Sequence, residues 1–310
     1  MNNLIIMIVV LIGALSIDII FGEPKEYIHP VVFSGRVASA IEGYFRKFDN
    51  RFRAGILFSI AVIVLTAIPY FLAVYLSSFI LVVYVVVSMV ILKTTFSITS
   101  MGEHIKLITD SLKKGNIMEA RMHLSMIVRR DTSRLNENEI SSAAIESIAE
   151  GLVDGYITPL FFFVFFGLPG AFIARIINTL DSMYGYKDRK NFEFGRFSAF
   201  MDTVINYIPA RISWFFITFS SDILNYRSKA IPVRRYIRRF DSVNAGWPIA
   251  SMASALNLRL EKKGHYIVND DGYQPGVADI EKSMKIYYLA AYSYIVIFVL
   301  PLLVIMAVFL

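Results

Sequence analysis

Long apolar runs without charge dictate what this chain can become. Leu4–Phe21 is almost wholly apolar, Gly55–Leu92 runs without one charged side chain, and Tyr287–Leu310 has the same character. A helix needs roughly 20 apolar residues to cross the hydrocarbon of a bilayer, where no water is present to satisfy backbone N–H and C=O groups. The expectation is an all-α, polytopic integral membrane protein. Gly55–Leu92 is long enough for two spans, joined near Tyr75–Ser78. Leu4–Phe21 follows a neutral Met1-Asn2-Asn3 and lacks a small-residue cleavage site, so it reads as a retained span rather than a secretory signal. Only 18% of the 310 residues are charged, fewer than a water-soluble domain of this length carries.

Basic residues gather in segments 22–54, 93–155, 178–203 and 225–286, whereas the N-terminus, the 75–78 turn and the C-terminal end hold none. By the positive-inside tendency, those four segments are expected as cytoplasmic inserts of a single membrane domain, 1–310, in the cell membrane, with both termini outside. Two further apolar stretches, 161–177 and 204–224, resist this scheme, because as full spans they would put Lys187, Arg189, Lys190 and Arg196 outside. The first is interrupted by Gly167-Leu168-Pro169-Gly170, and the second contains Pro209 and Arg211. The reading is about four full transmembrane helices plus two re-entrant or interfacial helical segments lining a pocket open to the cytoplasm. Six ordinary spans are the alternative.

The inserts are expected to be helical. Asn116 can cap a helix reaching about Val128, and Asn136 or Asn138 another running through Glu150. No alternation is long enough to suggest a sheet. Segment 225–286 opens with Arg227, Lys229, Arg234, Arg235, Arg238 and Arg239 with no acid between them, which suits either anionic lipid headgroups or docking of a phosphorylated substrate.

Cysteine is absent and the four histidines are scattered, which excludes disulfides and argues against zinc. Walker-type phosphate loops and Gly-x-Ser-x-Gly elbows are missing too. Three constellations carry chemistry instead. Glu146, Glu150 and Asp154 recur every fourth residue and stack carboxylates on one helix face, a repulsive arrangement that bound Mg²⁺ would justify. Arg175, Asn178 and Asp181 follow at helical spacing after the broken apolar stretch, with Gly185 ending the helix and Lys187 past the turn. These could complete a metal site and neutralise phosphate, or form a structural pair and cap. Arg129, Arg130 and Arg134 offer guanidinium forks to phosphate, or a surface ion-pair patch. Asp202, Asn206 and Arg211 add a polar set around Pro209. Together they point to anionic, phosphorylated substrates handled with Mg²⁺ at a membrane face.

At these residues the chain resembles the CbiB/CobD family, the adenosylcobinamide-phosphate synthases of cobalamin biosynthesis. The resemblance runs from about residue 10 to 275. It rests on ordered motifs: Gly22-Glu23-Pro24 with His29-Pro30-Val31 and Gly35-Arg36; Arg130-Asp131-Thr132; Glu146-Ser147-Ile148-Ala149-Glu150 through Asp154-Gly155 to Pro159-Leu160; Pro169-Gly170-Ala171; Asn178-Thr179-Leu180-Asp181-Ser182-Met183 with Gly185-Tyr186-Lys187; Phe194-Gly195-Arg196; Asn206 with Pro209-Ala210-Arg211; and Asn244-Ala245-Gly246-Trp247-Pro248. The resemblance implies ATP- and Mg²⁺-dependent amide synthesis, joining a carboxyl of the corrinoid adenosylcobyric acid to aminopropanol phosphate or threonine phosphate. The three constellations fit those demands: catalytic roles are expected for Glu146, Glu150, Asp154, Asp181 and Lys187, with the four carboxylates holding Mg²⁺. Substrate and phosphate contacts would fall to His29, Arg36, Arg129, Arg130, Arg134, Asn178, Arg196, Arg211, Asn244 and Trp247. Expected partners are these substrates, the lipid bilayer and other enzymes of the pathway; nucleic acid is not one. The chain departs from the family pattern at Glu23 (commonly Asp), Gly151 (commonly Asn), Met201-Asp202 (commonly an acidic pair) and Ile249 (commonly Glu).

Two other classes compete. A membrane sensor or scaffold of the same fold would explain the lost carboxylate at Ile249. A Mg²⁺-dependent membrane prenyltransferase would show two Asp-rich motifs, which Asn178-x-x-Asp181 matches only in part.

Overall fold

Asn50, Asn116 and Asn136 each stand one residue ahead of a helix, and each side-chain oxygen accepts a hydrogen bond from an N–H that the first turn leaves unpaired. At Asn136 the cap is reciprocal, because Glu139 reaches back to the Asn136 N–H. These caps are seen in a computed structural model that describes residues 2–24, 29–186, 188–226 and 232–309. The helices, in chain order, are α1 (Asn2–Phe21), α2 (Pro30–Phe45), α3 (Arg51–Ser77), α4 (Leu81–Lys93), α5 (Thr99–Lys113), α6 (Ile117–Ser125), α7 (Glu137–Leu152), α8 (Thr158–Tyr184), α9 (Arg196–Ile205), α10 (Tyr207–Ile223), α11 (Val233–Ile237), α12 (Gly246–Leu256), α13 (Val277–Tyr294) and α14 (Leu300–Phe309). Wider π turns, Val153–Ile157 and Ile295–Val299, follow α7 and α13. The helix after Asn116 ends at Ser125, a few residues short of the expected Val128.

Among the described residues, four helical stretches are long and apolar enough to cross a membrane: Leu4–Phe21, Arg51–Ser77, Glu137–Tyr184 and Val277–Met306. The chain is thus an all-α polytopic membrane protein. The membership of this set differs from the sequence reading in two places. Leu81–Lys93, expected as the second span of the 55–92 run, has only 13 residues and extends about 20 Å, less than the hydrocarbon thickness. Conversely, 161–177, expected to be re-entrant, lies inside the stretch Glu137–Tyr184. The break foreseen there does occur. Gly167 has φ 63° and ψ −157°, a region essentially closed to residues with a Cβ, and Pro169 starts the next helical turns. Stretch 204–224 is the end of α9 followed by α10, a helix of 17 residues.

The chain packs as two units. The first comprises Met1–Ser97, Thr158–Asn206 and Val299–Leu310. In it α2, α3 and α8 bury Phe58, Phe172, Tyr184 and Phe194, with Phe58 edge-on to Tyr184 at 5.0 Å between ring centroids. The second comprises Ile98–Ile157 and Tyr207–Phe298. Its axis is α7, which buries Ala143, Ala144, Ile148, Ala149 and Leu152 completely against neighbours that include α5, α12 and α13. Tyr156, Phe216 and Tyr294 interlock at its apolar end. This unit also holds an unexpected antiparallel hairpin, β1 (Leu260–Lys262) with β2 (Tyr266–Val268). Strands of three residues are too short to print an alternation in sequence.

Candidate functional site

In the second unit, α7 is buried on almost every side except along Ser147, Glu150, Gly151 and Asp154. This strip is the only accessible face of the helix beyond Glu139 among the described residues, and it carries two of the three expected carboxylates. Glu150 is exposed. Asp154 falls in the π turn, so its direction is not that of an ideal α-helical i+4 neighbour of Glu150. Turns of this kind are frequent at functional sites.

Glu146 behaves differently from its neighbours. It is 5% exposed and its oxygens are taken by donors: Ser142 Oγ donates to Oε1 at 2.9 Å, while Arg130 Nη2 and the Tyr266 hydroxyl donate to Oε2 at 2.8 and 3.0 Å. The expected metal-binding role does not suit a carboxylate so engaged, and Glu146 is better described as the anchor of a polar web. Ser142 also accepts the Glu261 N–H, tying β1 to α7. Burial and the Glu146 and Glu150 carboxylates push the Tyr266 phenol above its ordinary range, so it stays a protonated donor at any working pH. Sequence reasoning passed over Tyr266, since a lone tyrosine in a three-residue strand carries no signal.

The Arg-Arg-Asp-Thr motif is sorted by its turn. Thr132 Oγ1 donates to the Arg121 carbonyl, Arg121 Nε donates to that of Leu135, and Asp131 accepts the Ser133 N–H. So held, the loop sends Arg130 inward to Glu146 and leaves Arg129 and Arg134 exposed. Elsewhere in this unit, Arg211, Asn244 and Trp247 come together. The Arg211 guanidinium lies 3.4 Å from the Tyr207 ring centroid and 5.1 Å from that of Trp247, and donates to Asn244 Oδ1 at 3.3 Å. The buried Trp247 indole N–H has no hydrogen-bond partner among the described residues, a donor that a ligand could satisfy. Two departures from the family pattern find physical settings here. Ile249 is fully buried in α12, where an apolar side chain is at home. At Gly151, a Cβ would sit 2.3 Å from the end of Met101, so a larger residue requires that flexible side chain to move.

The first unit holds the remaining residues. Asn178 Nδ2 donates to Asp202 Oδ1 at 3.4 Å, and Thr158 donates to Asn206. Burial raises the Asp202 pKa, against the lowering pull of Asn206 and Asn178. Asp181 accepts the Gly185 N–H through its carbonyl, and α8 ends there as expected. Arg36 is exposed, and Arg196 is exposed over the Phe52 ring. Lys187, like Arg227 and Lys229, lies outside the described residues. Since Asp181 is in this unit and Glu146, Glu150 and Asp154 are in the other, neither unit by itself assembles the four-carboxylate metal site. Among the described residues no group of three or more His, Asp or Glu side chains is arranged to hold a metal ion.

A second web was not anticipated. Asp18, fully buried in α1, pairs with Lys93 at 2.8 Å, and Lys93 is 2% exposed at the end of α4. Lys93 reaches Glu23 at 3.3 Å, and Glu23 meets His29 Nε2 at 3.1 Å. His29 Nδ1 accepts the Val31 N–H and caps α2. Both ring nitrogens are engaged, so His29 positions a helix here rather than offering the expected phosphate contact. The clue in the sequence was a carboxylate inside an apolar span, which must pair or be used. Burial acts to raise the Glu23 pKa, but the His29 hydrogen bond, the Lys93 charge and a Ser97 hydrogen bond outweigh it and bring it from 4.5 to about 2. The depressed value stabilises the fold above pH 4.5, and that contribution, about 3 kcal/mol, is lost as pH falls from there towards 2. Acid unfolding in detergent is therefore expected to shift to lower-pH resistance in wild type than in Glu23→Gln, and identical acid profiles would refute the assignment.

Together these features define a class: a helical membrane protein in which buried charge webs fix the positions of a few accessible polar groups. The pattern of the CobD/Cbib protein family matches residues 11–287. A probable cobalamin biosynthesis protein CobD of Thermoplasma acidophilum is 75% identical over 97% of this chain and 99% of its own length. The cobalamin biosynthesis protein CobD of Dehalococcoides mccartyi is 39% identical over 86% and 87%, and a probable one of Thermococcus kodakarensis 36% over 93% and 94%. No solved structure matches. The chain belongs to the CobD/CbiB family.

Proposed function

We propose that this protein is an adenosylcobinamide-phosphate synthase, forming the amide between a carboxyl of adenosylcobyric acid and the amine of aminopropanol phosphate or threonine phosphate, with ATP and Mg²⁺. The observation that carries the reading is the accessible strip along the end of α7 and its π turn, where Glu150 and Asp154 line the one face open beyond Glu139 among the described residues. Family membership and the cobalamin biosynthesis names of the relatives support it.

Mg²⁺ bound with nucleotide keeps several waters and takes one or two protein carboxylates beside the phosphates. Glu150 and Asp154 fit that demand; Glu146 does not. Bound there, the ion would supply charge stabilisation to phosphoryl transfer. The chain's own residues do the rest. Arg130 neutralises Glu146 and so limits repulsion of an incoming anion, and Tyr266 holds that pair in place. Exposed Arg129 and Arg134 offer phosphate contacts, and Arg211 with the Trp247 N–H offers a polar face for the substrate. A carboxylate does not accept an amine directly. Phosphorylation to an acyl phosphate, with release of ADP, supplies a leaving group. The amine then attacks the acyl carbon, loses a proton, and phosphate departs. The basic segments and this chemistry are assigned to the cytoplasmic side of the cell membrane.

The test is incubation of detergent-purified protein with adenosylcobyric acid, aminopropanol phosphate, ATP and Mg²⁺, read by mass spectrometry. The amide product, dependent on both ATP and Mg²⁺, is expected. Absence of product with aminopropanol phosphate and threonine phosphate alike would favour the scaffold reading.

A further inference from the structure

A basic cavity of about 750 Å³ opens in the first unit, and none of its lining residues is among the site residues assigned above. Its lining is Arg46, Arg51, Arg189, Lys190, Phe192, Glu193 and Phe194, so four cations face one carboxylate. We propose that this cavity binds the phosphate group of an anionic phospholipid headgroup.

The cavity is built rather than incidental. Gly55 and Gly195 let the loop 188–195 seat against its supports: a Cβ at Gly55 would lie 1.9 Å from the Phe194 carbonyl oxygen, and one at Gly195 would lie 1.7 Å from that of Tyr184. Arg46 then locks the loop. Its Nη1 donates to the Lys190 carbonyl at 2.9 Å, Nη2 to Asn191 Oδ1 at 2.6 Å and Nε to Glu42 at 2.6 Å, with the guanidinium over the Phe194 ring. Asp188 is used inside the loop, accepting the Lys190 and Asn191 N–H groups. Glu42 therefore answers Arg46, and Lys190 reaches it only at 3.4 Å with most of its side chain in solvent. Arg189 and Lys190 project outward at the cavity mouth, both exposed.

Location identifies the ligand. Arg51 is the first residue of α3, one of the four stretches fit to cross a membrane, so the cavity stands where that helix leaves the hydrocarbon. Exposed aromatic side chains flank the lining residues in sequence, Tyr44 and Phe48 on either side of Arg46 and Phe52 next to Arg51, and exposed Phe192 is itself part of the lining. Exposed aromatics beside cations mark the headgroup level of a bilayer, where basic pockets between helices take phospholipid headgroups. A soluble phosphate compound would gain the cations but leave the aromatic collar in water.

Native mass spectrometry of the full-length protein in detergent, titrated with phosphatidylglycerol or phosphatidylcholine, tests this. Retention of phosphatidylglycerol over phosphatidylcholine by roughly tenfold is expected in wild type. Arg189→Ala with Lys190→Ala should weaken phosphatidylglycerol retention about ten- to thirtyfold, as the loss of two headgroup-level cations implies. Lys113→Ala with Lys114→Ala, exposed positions at the C-terminal end of α5, should leave it unchanged. A fall in the wild-type preference at high salt provides a reading independent of any folding defect. Equal retention of the two lipids, or equal loss in the α5 control, would overturn the site. Saturation by millimolar inorganic phosphate without any lipid preference would overturn the lipid as its source.

Discussion

Glu150→Gln is expected to lower amide-forming turnover by roughly a hundredfold or more, with membrane insertion and melting unchanged. Glutamine keeps the size and polarity of the side chain but removes the charge that a nucleotide-bound Mg²⁺ requires. Because Glu150 is exposed on the strip of α7, an amide of the same size and shape leaves the packing intact. Glu146→Gln separates the two roles. It should reduce stability, because Arg130 and Tyr266 would face a neutral amide in a buried place, and its residual activity should follow the folded fraction. Turnover at multiple Mg²⁺ concentrations, alongside thermal unfolding, reads both. Full activity in Glu150→Gln would remove the metal assignment from this strip.

The largest stability effect is expected at Lys93. Lys93→Met leaves Asp18 ionisable, fully buried and without its counter-charge, a situation that costs about 3–5 kcal/mol. Asp18→Asn combined with Lys93→Met should recover most of that loss, since a buried ion pair and a well-packed neutral pair are often near in energy. Unfolding midpoints of the two single variants and the double variant form a cycle, and a coupling near zero would show that the pair does not hold α1 to α4. The same cycle with Glu23→Gln asks whether the pair also sets the entry into α2, because Glu23 links Lys93 to His29 and His29 caps that helix.

Much of the helical frame was legible in the sequence because it is written in local terms. The asparagine caps at 116 and 136 use hydrogen bonds spanning three residues, and the break at Gly167 follows from a backbone conformation that only glycine takes. Apolar runs gave the membrane class for the same reason: hydrocarbon must face every side chain in turn. The short α4 was misjudged because chain composition alone does not say where a helix stops. Ser77 and Ile80 end one helix and begin another in the middle of an apolar run.

The candidate site divides along the same line. Spacing placed Glu146 and Glu150 on one helix, and in sequence they are equivalent. Packing made them different: a hairpin residue 120 positions away, Tyr266, and an arginine 16 positions back close over Glu146 and leave Glu150 open. The π turn then redirects Asp154. By itself the sequence determined the membrane class, the helix starts at Asn116 and Asn136 and the inventory of charged groups, since each depends on a residue and its near neighbours. Which of those charges are buried in pairs, as Asp18 and Lys93 are, and which remain accessible to a ligand, only the tertiary structure decided, because desolvation of a charge depends on what the distant chain brings to cover it.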